Sequence, residues 1–256
     1  MSLPRARLHS TGFSLIEMAL VLAIIGFVLG GMMLTLSAQV TQHNIGETQN
    51  RLKQARDALI GFAIANGRLP CPATATSNGV ESPAGGTACT SPYNGYLPAV
   101  TLGFQPVDSS GYAVDAWNNR IRYAVAQKVT GCAGPTYTFT SSVDLKANGV
   151  SCLPYDLVIC QSATGTLPGA TPPSCNTAAS VTNPKTVVAI VFSTGKDFAT
   201  PSAGNTDEQA NLDGNALFVS HPPAPTGAPG GEFDDQFEWI PIGLLYGRMT
   251  AAGVLP

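Results

Sequence analysis

The sequence predicts an α+β fold, with one long N-terminal helix laid on a small antiparallel β-sheet head whose loops are pinned by disulfides. Three observations predict it. No proline occurs between Phe13 and Leu69, so nothing interrupts a helix over roughly 13–66, about 80 Å by rise. Within 46–66, Leu52, Ala55, Leu59, Phe62 and Ala63 recur at three- and four-residue spacing, the stripe of an amphipathic helix. Beyond residue 66 the chain becomes rich in turn-formers. It holds 27 glycines and 20 prolines in 256 residues, mostly in that part, against a usual combined share of about 12%. Short β-branched and aromatic runs alternate with those turns. Two regions follow, a helix over 13–66 and a β-rich head over 67–256, preceded by a short segment over 1–12.

The helix is expected to have two different halves. Residues 13–36 form an apolar run of 24 residues whose one charge is Glu17. As a helix the run spans roughly 36 Å, enough for a bilayer core. Arg5, Arg7 and His9 precede it without an acidic residue, which places that end in the cytoplasm and the remainder outside the inner membrane. A secretory signal peptide fits poorly, because its apolar core is shorter and ends in a small-residue cleavage site. A plain membrane anchor leaves Glu17 unexplained, since a carboxylate inside an apolar helix costs about 2.5–3.5 kcal/mol. In the outer half, Arg51, Lys53, Arg56 and Asp57 take the faces away from the apolar stripe and are expected to be solvated. Gly67 is placed to cap the helix, and Pro70 cannot continue it.

Composition narrows the function. Only 11% of residues are charged and the net charge is −3, which disfavours a nucleic-acid surface. Six cysteines, Cys71, Cys89, Cys132, Cys152, Cys160 and Cys175, form no CxxC pair. Zinc-ribbon and thioredoxin sites therefore lack support, and disulfides of an oxidising compartment fit better. Spacing leaves the connectivity open; pairing of sequence neighbours would close short loops, and buried thiols are the alternative.

Ser10-Thr11-Gly12-Phe13-Ser14-Leu15-Ile16-Glu17 resembles the prepilin signature of type IV pilins and type II secretion pseudopilins. The resemblance covers residues 10–36. It implies cleavage by a prepilin peptidase between Gly12 and Phe13 and N-methylation of Phe13. It also implies a role for Glu17 in assembly, as the carboxylate that pairs with the new amine of a neighbouring subunit. Such a pair sets axial register more than it adds net stability. Many relatives carry a proline at the position of Leu34; here Gly26, Gly30 and Gly31 are the flexible or close-packing positions instead. The implied partners are the peptidase/methylase, other pilin or pseudopilin subunits and the inner membrane before assembly. The implied location is a single pass with a periplasmic head, or a cell-surface pilus.

In the head, residues 70–111 read as an ordered, disulfide-pinned loop. Asp115-Ala116-Trp117-Asn118-Asn119-Arg120-Ile121-Arg122-Tyr123 resembles a D-x-W-G-N element of pseudopilins. Asn118 stands where glycine is usual and still allows positive φ, Trp117 is expected beneath the turn as a core anchor, and Ile121, Tyr123 and Val125 continue as a strand. Further strands are expected at 137–140, 157–160, 186–193 and 216–220. Of these, 187–192 is apolar throughout, as befits a central strand. The tail around Phe233–Pro241, then 244–252, reads as a strand or turn and a short helix. Asp207, Glu208 and Asp213, with Asn211 and Asn215, offer oxygen ligands for Ca²⁺, although the EF-hand register is missing. His9, His43 and His221 belong to no triad or metal set. Ser193-Thr194-Gly195-Lys196 lacks the glycine spacing of a phosphate loop, so no catalytic role and no other cofactor is expected. A structural subunit, with a large cysteine-rich head suited to a minor position, is the expected function. The alternatives are a tip subunit that binds a ligand and an anchored periplasmic protein that does not polymerise.

Overall fold

The computed structural model describes residues 12, 14–131, 138–198 and 206–255, with backbone alone at 29–37 and 138. The helix α1 runs Leu15–Asn66 and ends on Gly67, whose φ of 69° accommodates the left-handed cap that closes with an N–H to the Ala63 carbonyl at 2.8 Å. The chain divides into two compact units, Met1–Asn44 and Ile45–Pro256, so the division falls inside α1. In the first unit every described side chain from Leu15 to Val28 is exposed. Among the described residues no helix is long and apolar enough to cross a membrane. The side chains of 29–37, in the middle of the apolar run, lie outside that description.

The second unit follows α1 with β1 (Gly95–Tyr96), α2 (Ala99–Leu102), β2 (Arg122–Val125) and β3 (Val129–Thr130). Then come α3 (Ser142–Asn148), β4 (Leu153–Pro154), β5 (Val158–Cys160), β6 (Val187–Ser193), α4 (Thr206–Ala210), β7 (Leu217–Val219), β8 (Gln236–Pro241) and α5 (Ile242–Ala251). Its main sheet has the order β1-β2-β6-β8 and is antiparallel throughout. All seven residues of β6 are buried, which explains its unbroken apolar sequence: it has strands on both edges and covering layers on both faces. The small β5–β7 pair is parallel, a departure from the expected all-antiparallel head.

The α1 stripe of Leu52, Ala55, Leu59 and Ala63 is fully buried in one apolar cluster with Tyr123, Val125, Val191 and Ile240 of the sheet. Ile60 joins it, whereas Phe62 does not; Phe62 instead lies beneath the Arg68 guanidinium at 5.2 Å. The strand expected at 137–140 is a different element. Residue 137 lies outside the description, and Thr138–Thr140 form a 3₁₀ turn. Ser141 follows as the N-cap of α3, its Oγ accepting the Asp144 N–H at 3.3 Å, so the chain must curl where a strand would run straight.

Disulfides join Cys71 to Cys89 and Cys160 to Cys175, each a pair adjacent in sequence order. Cys152 is also disulfide-bonded, and Cys132 lies outside the described residues. The first bridge works with a buried ion pair. Arg68 donates to both Glu81 oxygens at 2.7 and 2.8 Å, and Glu81 also accepts the N–H groups of Cys71 and Gly85. A proline- and glycine-rich stretch without regular structure is thereby tied at several points.

Candidate functional site

The N-terminal site begins at Gly12, which is exposed with open space where a Cβ would stand. Phe13 lies outside the described residues. Ser14 then caps α1. Its Oγ accepts the Glu17 N–H at 3.3 Å, and Glu17 Oε2 accepts the Ser14 N–H at 3.3 Å. This is a reciprocal capping box, S-x-x-E, which satisfies two of the N–H groups that a helix start leaves orphaned. Glu17 therefore has a local role that its reading as an isolated charge missed, and Ser14-Leu15-Ile16-Glu17 carried the signal.

The turn at Asp115 is built around its carboxylate. Asp115 is buried, its Oδ1 accepts the N–H groups of Trp117 and Asn119, and its Oδ2 accepts the Ser193 hydroxyl at 2.5 Å. Asn118 takes φ 68°, the left-handed conformation that asparagine tolerates. Trp117 is only half-buried and lies outside the core cluster, so it is not the expected anchor. Asp115 does that work, because a carboxylate reaches several backbone donors at once. The helix holds the turn as well: Thr48 Oγ1 accepts the Ala116 N–H, and Arg51 donates to the carbonyls of Val114 and Asp115. Arg51 and Arg56, expected to be solvated, are thus both engaged, Arg56 with Glu238 at 2.8 Å.

The third constellation is a set of carboxylates. Asp207, Glu208 and Asp213 do not converge among the described residues. Asp207 is buried, with Oδ1 accepting from Ser162 and Ala163 and Oδ2 lying 3.3 Å from His221 Nε2. Asp213 accepts from Asn215. Glu208 alone of the three faces other acids: ligand oxygens of Asp197, Glu208 and Asp234 lie within 4.8 Å of one another. Gly195, at φ 64°, makes room for them, since a Cβ there would collide with the Asp234 carboxylate. Asp197, Glu208 and the buried Asp235 line a cavity of about 20 Å³, the size of one ion or water. Asp235 Oδ2 accepts from Asn211, while its Oδ1 has no hydrogen-bond partner among the described residues.

Crowding of these acids shows in their protonation. Burial, then the nearby Glu208, Asp234 and Asp197, push Asp235 well above the usual carboxylate range. Burial and the neighbouring acids Asp197 and Glu232 push Asp234 up to about 6. Asp197 is raised by burial and by Glu232. Such a set is relieved either by protons or by a cation.

Residues 7–33 match a family model described as the prokaryotic N-terminal methylation motif. The chain carries the type IV pilin/pseudopilin signature. The methylation motif covers Gly12, Ser14 and Glu17 and leaves the head unmatched. No curated protein and no solved structure matches the chain. The motif points to a prepilin-peptidase substrate of structural type, and the capping box lies inside it.

Proposed function

We propose that the chain is a structural subunit, a minor pilin or pseudopilin, cleaved between Gly12 and Phe13, methylated at Phe13 and assembled through Glu17. The observation that carries this reading is the methylation motif at residues 7–33, in register with a helix whose first turn holds Glu17. The exposed apolar side chains of 15–28 and the apolar sequence through residue 36 support insertion in the inner membrane before assembly. A long helix with an antiparallel sheet in its own compact unit supports a pilin-like fold.

The capping box refines the role of Glu17. The amide between Phe13 and Ser14 supplies the N–H that Glu17 accepts, so cleavage one bond earlier leaves the cap intact. Glu17 can then cap its own helix and also meet the amine of a neighbouring subunit. Mass spectrometry of the processed protein should find a chain starting at methylated Phe13; retention of the first twelve residues in a host with an active peptidase would overturn the proposal. Glu17→Gln keeps a capping side chain but removes the charge. Filament incorporation should fall as much with Glu17→Gln as with Glu17→Ala. Normal incorporation of the glutamine variant would reduce Glu17 to a cap.

The carboxylate set supports a second element of this reading, a bound Ca²⁺ in the head. Asp197, Glu208 and Asp234 would supply hard oxygen ligands.

A further inference from the structure

One face of the main sheet carries large side chains that the proposed function does not use. Register sets Tyr96 opposite Arg122, Arg122 opposite Phe192, and Phe192 opposite Phe237. Phe192 and Phe237 are buried and stacked, with centroids 5.0 Å apart. Arg122 stands in this row between Tyr96 and Phe192, its guanidinium 4.5 Å from the Tyr96 ring centre and 5.7 Å from that of Phe198. Arg120, two residues before the strand begins, lies 4.0 Å from the ring centre of Tyr112. Tyr96, Asn118, Asn119, Arg120, Arg122 and Phe198 line a cavity of about 300 Å³.

The two arginines are not equivalent. Arg120 pairs with Asp108 at 2.7 Å. Arg122 donates to Asn94 Oδ1 at 2.9 Å and has no carboxylate within ion-pair distance among the described residues. Its fork has five N–H donors, so most of its capacity is unused. Burial, and after it the Arg120 charge, disfavour its charged form, which an incoming anion would offset. The Asn118 side chain is exposed without a hydrogen bond among the described residues, while Asn119 spends one N–H on the Gly195 carbonyl.

An unpaired guanidinium fork matches a carboxylate in two-point geometry. The Asn118 carboxamide and the remaining hydrogen-bonding capacity of Asn119, beside aromatic rings, match sugar hydroxyls and the apolar face of a sugar ring. The cavity sits at the small end of ligand pockets, which run from about 300 Å³, so it holds one ring. A polyphosphate strand fits less well, because the net charge is −3 and Asp235 acts on the same arginine. We propose that this cavity binds the uronate ring of an acidic saccharide, with Arg122 gripping the carboxylate and Asn118 and Asn119 holding the hydroxyls.

This proposal does not depend on cleavage or assembly. The test is titration of the full chain in detergent micelles with D-glucuronate, D-glucose, acetate and oligothymidylate, followed by calorimetry. Glucuronate should bind at least about tenfold more tightly than glucose or acetate. Arg122→Gln should weaken glucuronate at least about tenfold with an unchanged melting temperature, and Arg122→Lys should not restore it, because a point charge lacks the fork. Asn118→Gly, which suits the positive φ at that position, should weaken glucuronate severalfold while leaving acetate unaffected. Absence of glucuronate binding, equal binding of acetate, preference for oligothymidylate, or unchanged glucuronate affinity in a folded Arg122→Gln or Asn118→Gly variant would each overturn the proposal.

Discussion

At the scale of single residues, buried charge organises the head. Glu81 illustrates how it is tolerated. Burial alone would push its carboxyl up, but two-point pairing with Arg68 and the N–H groups of Gly85 and Cys71 outweigh it, and the net shift is downward. A carboxyl lowered on folding contributes stability above its unfolded value near pH 4, and loses it as pH falls through the lower folded value. Glu81→Gln should leave Arg68 buried without its counter-charge and cost about 3 kcal/mol. Thermal melting at neutral pH checks this; an unchanged midpoint would mean that the Cys71–Cys89 bridge alone holds the loop. None of this was visible in the sequence, because Arg68 and Glu81 sit thirteen positions apart in a stretch with no periodicity.

At the scale of elements, legibility followed periodicity. The α1 stripe and the central strand β6 were readable because a helix repeats every three to four residues and a doubly covered strand is apolar throughout. The short elements β1, α2, α3 and α4 are set by caps and by neighbours rather than by pattern. Phe62 fits the helical stripe yet lies at its margin under Arg68, since a spacing rule does not locate the edge of a contact. Leu59 is fully buried between helix and sheet, and Leu59→Ala should cost about 3 kcal/mol by transfer and cavity together. Gly61, two residues on, is exposed with no atom near its would-be Cβ. Gly61→Ala should therefore stabilise the helix by about 1 kcal/mol. Equilibrium unfolding in urea measures both, and a destabilised Gly61→Ala would show that this helix face is already occupied.

At the scale of the whole molecule, pH and cations should act together through the carboxylates that converge between β6 and β8. Asp234 titrates near 6, and Asp235 and Asp197 are also raised. Folding then binds protons, so with a chelator present stability should decline as pH rises from about 4 to about 6. Ca²⁺ should restore it at neutral pH and matter little below pH 4, where protons already occupy the site. A melting temperature at pH 7 indifferent to both Ca²⁺ and chelator would remove the ion from the proposed function. Asp197→Asn and Asp234→Asn together should mimic the ion by removing repulsion.

By itself the sequence determined the α+β class, the helix and its buried stripe, the central strand and the methylation motif, because each is written in contiguous residues or a fixed period. The tertiary structure alone decided which acids meet, that Glu208 faces Asp197 and Asp234 while Asp207 and Asp213 turn elsewhere, and that Arg122 has no carboxylate within ion-pair distance among the described residues. The physical reason is that electrostatic neighbours are chosen by chain crossings. Acids from the end of β6, from α4 and from the approach to β8 come within a few ångströms only after the sheet has formed.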